Sequence, residues 1–397
     1  MTQLPSSPAS WASARVSQFP ETVFATYTEL AKTHQAINLG QGFPDFDPPE
    51  FARQALQEAA LGNQQYAPLS GLPLLLETLR DVLHAPLGRW LEPAELLVTV
   101  GVTEGLFASM QALLNPGDEV LLLEPFYDAY PADVLMAGGV PRYVPLDLQA
   151  DGHWALDLDK LQAALSPKTK VLLLNNPHNP SGKVFSADEL DALLALAHAH
   201  NFLILSDEVY EHICFEDFHP LASRPGAWGR CLSLSSIGKS FSVTGWKVGW
   251  LYGAADLVRA VRSAHQWIPF VVPTPLQYAS AQLLRYAQHS DYYATLRQDY
   301  QHKRDLLSRG LEASPFKPLP SQGSYFLLAD SSALGYPDDV SLCQALPEKA
   351  GVAAIPPSAF YSLEHKHLAK QLVRFAFCKR DEALQQAAER LAHLEVV

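Results

Sequence analysis

The run Ser233-Leu-Ser-Leu-Ser-Ser-Ile-Gly-Lys-Ser-Phe-Ser-Val-Thr-Gly-Trp-Lys-Val-Gly-Trp250 joins the end of an apolar segment to a cluster of small residues around one lysine. The alternating apolar residues at 231–234 predict a short strand, which breaks just before Lys239. Small residues let a backbone approach a ligand closely. Ser236 and Lys247 add the hydroxyl and the second cation that suit an oxyanion such as phosphate.

Two interpretations of Lys239 are open at this point. A lysine that is sheltered and close to another cation can have its pKa lowered enough to attack a carbonyl group. The first interpretation of Lys239 is therefore a Schiff-base lysine that holds pyridoxal phosphate. The alternative is a surface turn with an ordinary solvated lysine, which is the commoner outcome for an isolated Ser-x-x-Lys match. Other segments of the chain have to decide between the two.

The composition narrows the class of protein. The chain has 397 residues, enough for two or three domains with a large core. Charged residues make up only 18%, which suggests that some surface is buried against a second subunit. The net charge of −13 argues against nucleic acid as the main partner, because phosphate backbones require basic patches.

The four cysteines are far apart and lack CxxC spacing, so neither a zinc site nor a disulfide framework is expected. The first 20 residues are rich in Ser, Pro and Ala and lack the apolar core of a secretory signal. No stretch reaches the roughly 18 apolar residues of a membrane span. We therefore expect a cytoplasmic protein without a membrane partner.

Residues 95–105 predict an anion site. Glu95-Leu-Leu-Val-Thr-Val100 is a predicted strand, and Gly101-Val-Thr-Glu-Gly105 starts a predicted helix. A strand, a tight turn and a helix start present free backbone N–H groups to a phosphate. The pattern is neither GxGxxG nor a P-loop, so it suggests neither a dinucleotide nor ATP. A nicotinamide dehydrogenase is excluded on motif grounds, because no GxGxxG follows a strand.

The middle of the chain predicts a parallel sheet. Continuous apolar runs at 119–124, 170–176 and 202–206 alternate with helical patterns, which is typical of strands buried on both faces. In such sheets, ligands bind beyond the carboxyl ends of the strands. Five polar or aromatic side chains fall at such ends, and their convergence favours the Schiff-base interpretation: Thr103, Tyr127, Asn179, Asp207 and Lys239.

The pattern changes after Pro275. Helical periodicity at 292–308, ending near Gly310, and at 339–349 is interleaved with short strands at 324–329 and 372–377, which predicts an α+β domain with an antiparallel sheet. The predicted organisation has three parts. Residues 1–20 form an N-terminal arm, residues 47–275 a large cofactor-binding domain, and residues 21–46 with 276–397 a small domain.

In combination, these motifs resemble the class I/II aminotransferases, which are fold-type I pyridoxal-phosphate enzymes. The resemblance extends in order from about Asn38 to Arg374. It rests on Asn179-Pro-Ser-Gly182, Ser206-Asp-Glu-Val-Tyr210, Ser236-Ile-Gly-Lys239 with Lys247, and Arg374. Further segments are most similar to methionine and kynurenine (glutamine) aminotransferases: residues 38–46, 176–180, 244–249 and 352–356. The implied fold is α/β, with a mostly parallel, seven-stranded type of sheet flanked by helices and a small α+β domain.

The resemblance implies roles around the cofactor. Lys239 would bind pyridoxal phosphate and move the substrate's α-proton. Asp207 would keep the pyridine nitrogen protonated, and Tyr210 with Asn179 would hydrogen-bond the ring oxygen. Tyr127 would stack on the ring. The phosphate would be held by Val102, Thr103, Ser236, Lys247 and, from the neighbouring subunit, Tyr66.

The substrate contacts are implied in the same way. Arg374 would bind the α-carboxylate in bidentate fashion, and Asn179 and the backbone of Gly42 would add contacts. Phe24, with Tyr66 and Phe270 from the partner, would line the side-chain pocket. This aromatic lining, with no evident second arginine, favours large apolar, thioether or aromatic amino acids over aspartate.

Two polar features lie outside this pattern. Glu104 stands where many relatives carry glycine, and an acid that faced the phosphate cup would repel the cofactor. We expect it to point away along the helix. The histidines at 198, 200, 365 and 367 lie outside every motif and are expected to be solvated, so no metal site is predicted.

The resulting prediction is a homodimeric enzyme that runs a ping-pong transamination between an amino acid and a 2-oxo acid. One alternative is a pyridoxal-phosphate β-lyase that cleaves cysteine S-conjugates with the same lysine. A second is a non-catalytic regulator built on the same fold. Such a regulator needs a DNA-binding or partner domain, for which this acidic chain offers no segment.

Overall fold

The computed structural model describes residues 11–13, 15–17, 19 and 21–396. Most of the predicted N-terminal arm, residues 1–20, therefore lies outside the described residues. The strands are β1 Ile37–Asn38, β2 Leu96–Thr99, β3 Glu119–Glu124, β4 Val140–Pro145, β5 Asp147–Leu148, β6 Trp154–Ala155, β7 Thr169–Asn175, β8 Leu203–Asp207, β9 Cys231–Ser236, β10 Gly249–Gly253, β11 Lys317–Pro318, β12 Phe326–Asp330, β13 Val352–Ala353 and β14 Leu372–Ala376. The helices are α1 Val23–Thr33, α2 Glu50–Ala60, α3 Pro73–Leu87, α4 Gly101–Leu113, α5 Ala129–Met136, α6 Leu158–Ala164, α7 Ala187–His200, α8 Ile237–Ser240, α9 Ala255–His265, α10 Thr274–Gln288, α11 Tyr292–Glu312, α12 Asp339–Lys349 and α13 Asp381–Ala392.

A seven-stranded sheet in the order β2-β10-β9-β8-β7-β3-β4 forms the centre of the larger part. All neighbours are parallel except β10, which is antiparallel to both β2 and β9. The apolar runs are continuous because both faces of the sheet are covered. In β3, for example, Val120 and Leu122 pack into one hydrophobic core, and Leu121 and Leu123 pack into the other. The predicted α/β fold class is confirmed.

Two strands of this sheet were missed by the sequence analysis. β10 lies inside the motif that was interpreted only as a binding segment, and its residues Trp250 and Tyr252 are buried. β4 pairs with β3 at the edge of the sheet, and its burial alternates, so it lacks the continuous apolar signal of the central strands.

The smaller part contains the antiparallel sheet β11-β12-β14, in which Leu328 lies opposite Arg374. Near the other end of the chain, β1 pairs in parallel with β13, and Ile37 lies opposite Val352. The N-terminal segment is therefore built onto the C-terminal part of the chain. The domain limits given above stay a prediction.

The helix α11 runs through Gly310 to Glu312, whereas the sequence analysis ended it near Gly310. This difference has a packing cause. A Cβ atom on Gly310 would lie 2.3 Å from Cβ of Ala388 in α13. Gly310 therefore permits the close approach of two helices and is not a helix stop.

Two further observations bear on the class of protein. No helix among residues 21–396 combines the length and the apolar character that spanning a membrane requires. The four cysteines are buried and free, in agreement with their interpretation as small core residues.

Candidate active site

A cavity of about 250 Å³ opens at the carboxyl ends of the parallel strands, where the large sheet meets the smaller part of the chain. The structure brings into its lining all the predicted site residues except Tyr66 and Phe270. These lining residues are Phe24, Gly42, Val102, Thr103, Tyr127, Asn179, Asp207, Tyr210, Ser236, Lys239, Lys247 and Arg374. Ligands are expected at this edge of an α/β sheet.

Lys239 enters the cavity from a single helical turn. The strand β9 ends at Ser236, and α8 carries Lys239 past the edge of the sheet. Its Nζ donates a 2.8 Å hydrogen bond to the hydroxyl of Tyr325. Burial lowers the pKa of Lys239 to about 8. A far larger fraction of this amine than of an ordinary lysine is therefore neutral, and nucleophilic, near neutral pH.

Asp207 is the last residue of β8 and is buried at the floor of the cavity. The hydroxyl of Tyr130 donates a 2.8 Å hydrogen bond to Oδ2 of Asp207. The amide of Asn175 donates to the Asp207 carbonyl at 2.9 Å and also accepts from the backbone N–H of Asn179 at 2.7 Å. Burial raises the pKa of Asp207 to about 6, against the opposing effect of the Tyr130 hydrogen bond. The Asp207 carboxylate has no cationic hydrogen-bond donor among the described residues, and the protonated ring nitrogen of a bound ligand could supply one.

The start of α4 forms an anion cup. Val100 precedes this helix without a side-chain cap, so the first N–H groups face the cavity without an intrahelical partner. Lys247 Nζ donates a 3.2 Å hydrogen bond to Oγ1 of Thr103, which brings a cation to the helix N-terminus. Gly101 has a φ of 68°, and a Cβ on it would lie 3.2 Å from the Nζ of Lys247. Glycine is therefore needed where the lysine crosses the turn.

Glu104 points away from this cup, as expected. Its Oε2 accepts a 3.0 Å hydrogen bond from the backbone N–H of Val100. Its Oε1 lies 2.9 Å from Nδ1 of His265, a histidine that is fully buried in α9. The Glu104 carboxylate thus caps the start of its own helix, α4, and pairs with His265 in the neighbouring helix α9.

Arg374 is fully buried at the opposite side of the cavity. Nη2 donates to the carbonyl of Gly40 at 2.7 Å, and Nη1 donates to Oδ1 of Asn179 at 3.3 Å. Its Nε finds no hydrogen-bond partner within the described part of the chain. The guanidinium lies 4.2 Å from the ring centroid of Phe326. Burial lowers the pKa of Arg374 to about 10, so it remains a cation with an unused donor.

Three tyrosines of the lining, Tyr127, Tyr130 and Tyr210, pack at the inner wall, and Tyr325 lies behind them. The rings of Tyr127 and Tyr130 meet edge to face at 5.6 Å, and Tyr210 meets Tyr325 in the same way at 5.0 Å. Burial raises the pKa of Tyr127 to about 12 and that of Tyr210 further still. These phenols are therefore hydrogen-bond donors and packing surfaces at neutral pH.

Tyr66 and Phe270 do not line the cavity of the single chain. Their rings contact each other edge to face at 5.4 Å, and the two residues are 78% and 55% exposed. Exposed aromatic side chains of this size are typical of a protein–protein contact. Their predicted contribution to a neighbouring subunit's site stays a prediction.

The sequence analysis missed several residues of the site, among them Tyr130, Asn175 and Phe326 in the cavity lining and Tyr325 beside Lys239. Tyr130 follows the predicted Tyr127 by one helical turn, a spacing that could have indicated a shared face. Tyr325 stands just before β12, and nothing in the local pattern indicates that it reaches a lysine 86 positions away. The expectation that His365 is solvated was wrong, because its ring pairs with the buried carboxylate of Glu124.

The residues present fit pyridoxal phosphate on structural grounds. The anion cup suits a phosphate, the Lys239 amine suits an aldehyde, and the carboxylate of Asp207 suits a protonated ring nitrogen. The free Nε of Arg374 suits one oxygen of a substrate carboxylate. Within residues 21–396, no group of three histidine, cysteine or carboxylate side chains is arranged to hold a metal ion.

Comparison with known proteins leads to the same chemistry. Residues 34–391 match the family model for aminotransferase class I and II. The chain is 38% identical to a kynurenine–oxoglutarate transaminase of Dictyostelium discoideum, with 96% of each chain covered. It is 43% identical to a probable N-succinyldiaminopimelate aminotransferase of Mycobacterium tuberculosis, covering 96% of this chain and 98% of that one.

A solved structure of YbdL from Escherichia coli, for which a methionine aminotransferase function was identified, superposes with a TM-score of 0.91. This comparison covers 99% of the chain and all of the other protein, at 37% identity.

Proposed function

Because the chain belongs to the class I and II aminotransferases, which depend on pyridoxal phosphate, we propose that it transfers the amino group of a large apolar, thioether or aromatic amino acid to a 2-oxo acid. The observation that carries the proposal is the presence of Lys239, Asp207 and the buried Arg374 in one cavity. These residues supply an amine, an acid for the ring nitrogen and a carboxylate clamp.

The cofactor, when bound, supplies an aldehyde for the substrate amine and a ring that accepts the electron pair of the broken Cα–H bond. The N-terminus of α4, Thr103 and Lys247 bind its phosphate. Asp207, held by Tyr130, keeps a proton on the ring nitrogen. Arg374 binds the α-carboxylate and thereby fixes the orientation of the amino acid in the cavity.

Lys239 moves the α-proton. Its lone pair would form a new N–H bond as the Cα–H bond breaks, and the resulting ammonium group would hold that proton and release it later in the reaction. The pKa of about 8 suits this role, because a general acid–base group works best near the operating pH.

The choice of amino donor rests on the cavity wall. Phe24, Tyr127 and Phe326 offer apolar surface, and Arg374 is the sole arginine in the lining formed by the described residues. A second carboxylate, as in aspartate, has no arginine to meet it there. Two relatives have names that refer to kynurenine and to N-succinyldiaminopimelate, and a methionine aminotransferase function was identified for YbdL. These substrates differ, so experiment has to identify the amino donor of this protein.

No relative reported above is named as a lyase, so the β-lyase alternative is not proposed. A homodimer in which Tyr66 and Phe270 complete the neighbouring site is part of the proposal, as is a cytoplasmic location.

Steady-state turnover tests the proposal. Purified protein is assayed with one 2-oxo acid and, in turn, methionine, phenylalanine, kynurenine, glutamine, N-succinyldiaminopimelate and aspartate. We expect turnover with apolar, thioether and aromatic donors, weak turnover with aspartate, and none in the Lys239→Ala variant. Preference for aspartate or N-succinyldiaminopimelate, which carry carboxylates beyond the α-carboxylate, or turnover by Lys239→Ala near the parental rate, would contradict the proposal.

A further inference from the structure

The hydroxyl of Tyr325 lies between two groups of the active site. It accepts the 2.8 Å hydrogen bond from Nζ of Lys239 and donates a hydrogen bond to the carbonyl of Gly42. Lys239 comes from the end of the large sheet, Gly42 from the loop after β1, and Tyr325 from the residue before β12. One hydroxyl therefore ties three separate segments of the chain together at the reacting amine.

The direction of these hydrogen bonds is determined by the number of protons. A phenol has one proton, and that of Tyr325 is committed to the Gly42 carbonyl, so only its lone pairs face Lys239. The lysine must then be the donor. A neutral amine that gives one N–H to Tyr325 has a restricted set of orientations for its own lone pair.

The surroundings of Tyr325 keep this arrangement rigid and neutral. The side chain is fully buried, its ring meets the ring of Tyr210 edge to face at 5.0 Å, and it stacks on the ring of Tyr300 at 6.0 Å. Burial raises the pKa of the Tyr325 phenol well above its ordinary value. It therefore does not compete with Lys239 for the substrate's proton.

We propose that Tyr325 is a positioning residue, whose hydroxyl orients the amine of Lys239 for proton transfer and couples it to the Gly42 loop that lines the substrate side of the cavity. The inference rests on the proposed role of Lys239. Tyr325 itself exchanges no proton with the substrate and acts only through its hydrogen bond to Nζ of Lys239. Tyr325 acts by fixing the orientation of the Lys239 amine, and catalytic rates are sensitive to that geometry.

The Tyr325→Phe variant tests the proposal, because it removes the hydroxyl and leaves the ring packing in place. Tyr300→Phe is the matched control. It is the same substitution on the stacked neighbour, whose hydroxyl contacts neither Lys239 nor Gly42 in the described structure. We expect Tyr325→Phe to lower kcat about 10- to 100-fold, with little change in KM. We also expect a larger isotope effect with α-deuterated substrate, and near-parental values for Tyr300→Phe.

A second readout needs no turnover. Cofactor-free protein takes up pyridoxal phosphate through the neutral Lys239 amine, so the pH dependence of the uptake rate reports its pKa. The Tyr325 hydroxyl accepts from this group and favours its charged form. Its removal should therefore move the midpoint to lower pH by about half to one unit, the equivalent of one hydrogen bond.

The outcomes are distinguishable. An unchanged uptake midpoint, an equal loss of kcat in both variants, or a change confined to KM would overturn the role of Tyr325. A parental protein that takes up cofactor but converts no amino acid would overturn the proposed function. The uptake midpoints of the two variants would still decide the role of Tyr325.

Discussion

The hydroxyl of Tyr130 lies 2.8 Å from Oδ2 of Asp207, and both side chains are buried. This hydrogen bond stabilises the ionised carboxylate in surroundings that raise its pKa to about 6. The role proposed for Asp207 toward a protonated ring nitrogen thus depends on the hydrogen bond from Tyr130.

The first prediction concerns Tyr130→Phe. Without its donor, the pKa of Asp207 should rise further. A protonated Asp207 cannot hold the ring nitrogen's proton, so affinity for pyridoxal phosphate should fall as the pH decreases through this pKa. The fall should begin at higher pH in the variant than in the parent. Binding titrations between pH 5 and 8 measure it, and the comparison with the parent cancels the ligand's own titration. Tyr143→Phe is a control away from Asp207. Coincident profiles for parent and Tyr130→Phe would contradict the prediction.

The second prediction concerns Asp207→Asn. The amide cannot stabilise a cationic ring nitrogen, although its oxygen can still accept from Tyr130. We expect kcat to fall roughly 100-fold or more, because a preorganised charge at the reacting group is lost. The thermal stability without cofactor should stay equal or rise, since a buried charge is removed. Turnover close to the parental value would show that Asp207 does not act on the ring.

The third prediction concerns Arg374→Lys. A lysine keeps the charge but not the planar fork, and it cannot reproduce the donors at Gly40, at Asn179 and at the free Nε together. We expect KM for amino acids to rise about 10- to 100-fold, the equivalent of one charge-assisted hydrogen bond. Cofactor affinity is the internal control and should be nearly unchanged. An unaltered KM would contradict the role of Arg374.

The fourth prediction concerns Glu104→Ala. The substitution leaves the Val100 N–H and the buried ring of His265 without their partner. We expect a loss of about 2–4 kcal/mol in the free energy of unfolding, measured by urea denaturation. Glu58→Ala is the matched control, since Glu58 is an exposed helical glutamate in α2. Equal effects from the two substitutions would contradict this account of Glu104.

The fifth prediction tests the shared site. If Tyr66 acts in the neighbouring subunit, a dimer of one Tyr66→Ala chain and one Lys239→Ala chain contains one complete site. Co-refolding of equal amounts should then restore about a quarter of the parental activity, since half of the dimers are hybrids with one intact site of two. If the mixture only matches the average of the two variants refolded separately, the sharing is refuted.

Much of the fold was predictable because its signals are local. The strand predicted at 119–124 coincides with β3, and the helix predicted at 339–349 coincides with α12, because burial on two faces and amphipathic periodicity leave direct marks in the sequence. The local sequence pattern gave the wrong helix boundary where a tertiary contact determines the structure. By local rules Gly310 would end the helix. It lies inside α11 instead, where the missing side chain leaves room for Cβ of Ala388 in α13.

The site residues divide in the same way, into those with a local sequence signal and those placed by tertiary contacts. The residues at strand ends, such as Asp207 and Lys239, could be placed in one cavity because parallel strands end at a common edge. The position of Tyr325 beside Lys239 could not be predicted in this way. Tyr325, just before β12, meets Lys239 in α8 only through a tertiary contact, and no spacing in the sequence encodes that contact.

The most direct test of the central claim is the absorption spectrum of the cofactor-loaded protein mixed with a single amino acid, with no 2-oxo acid present. The account predicts that methionine or phenylalanine converts the aldehyde form of the cofactor to its amino form, that aspartate does so poorly, and that a 2-oxo acid reverses the change. A spectrum that stays unchanged with every amino acid, or the release of ammonia without an acceptor, would contradict it.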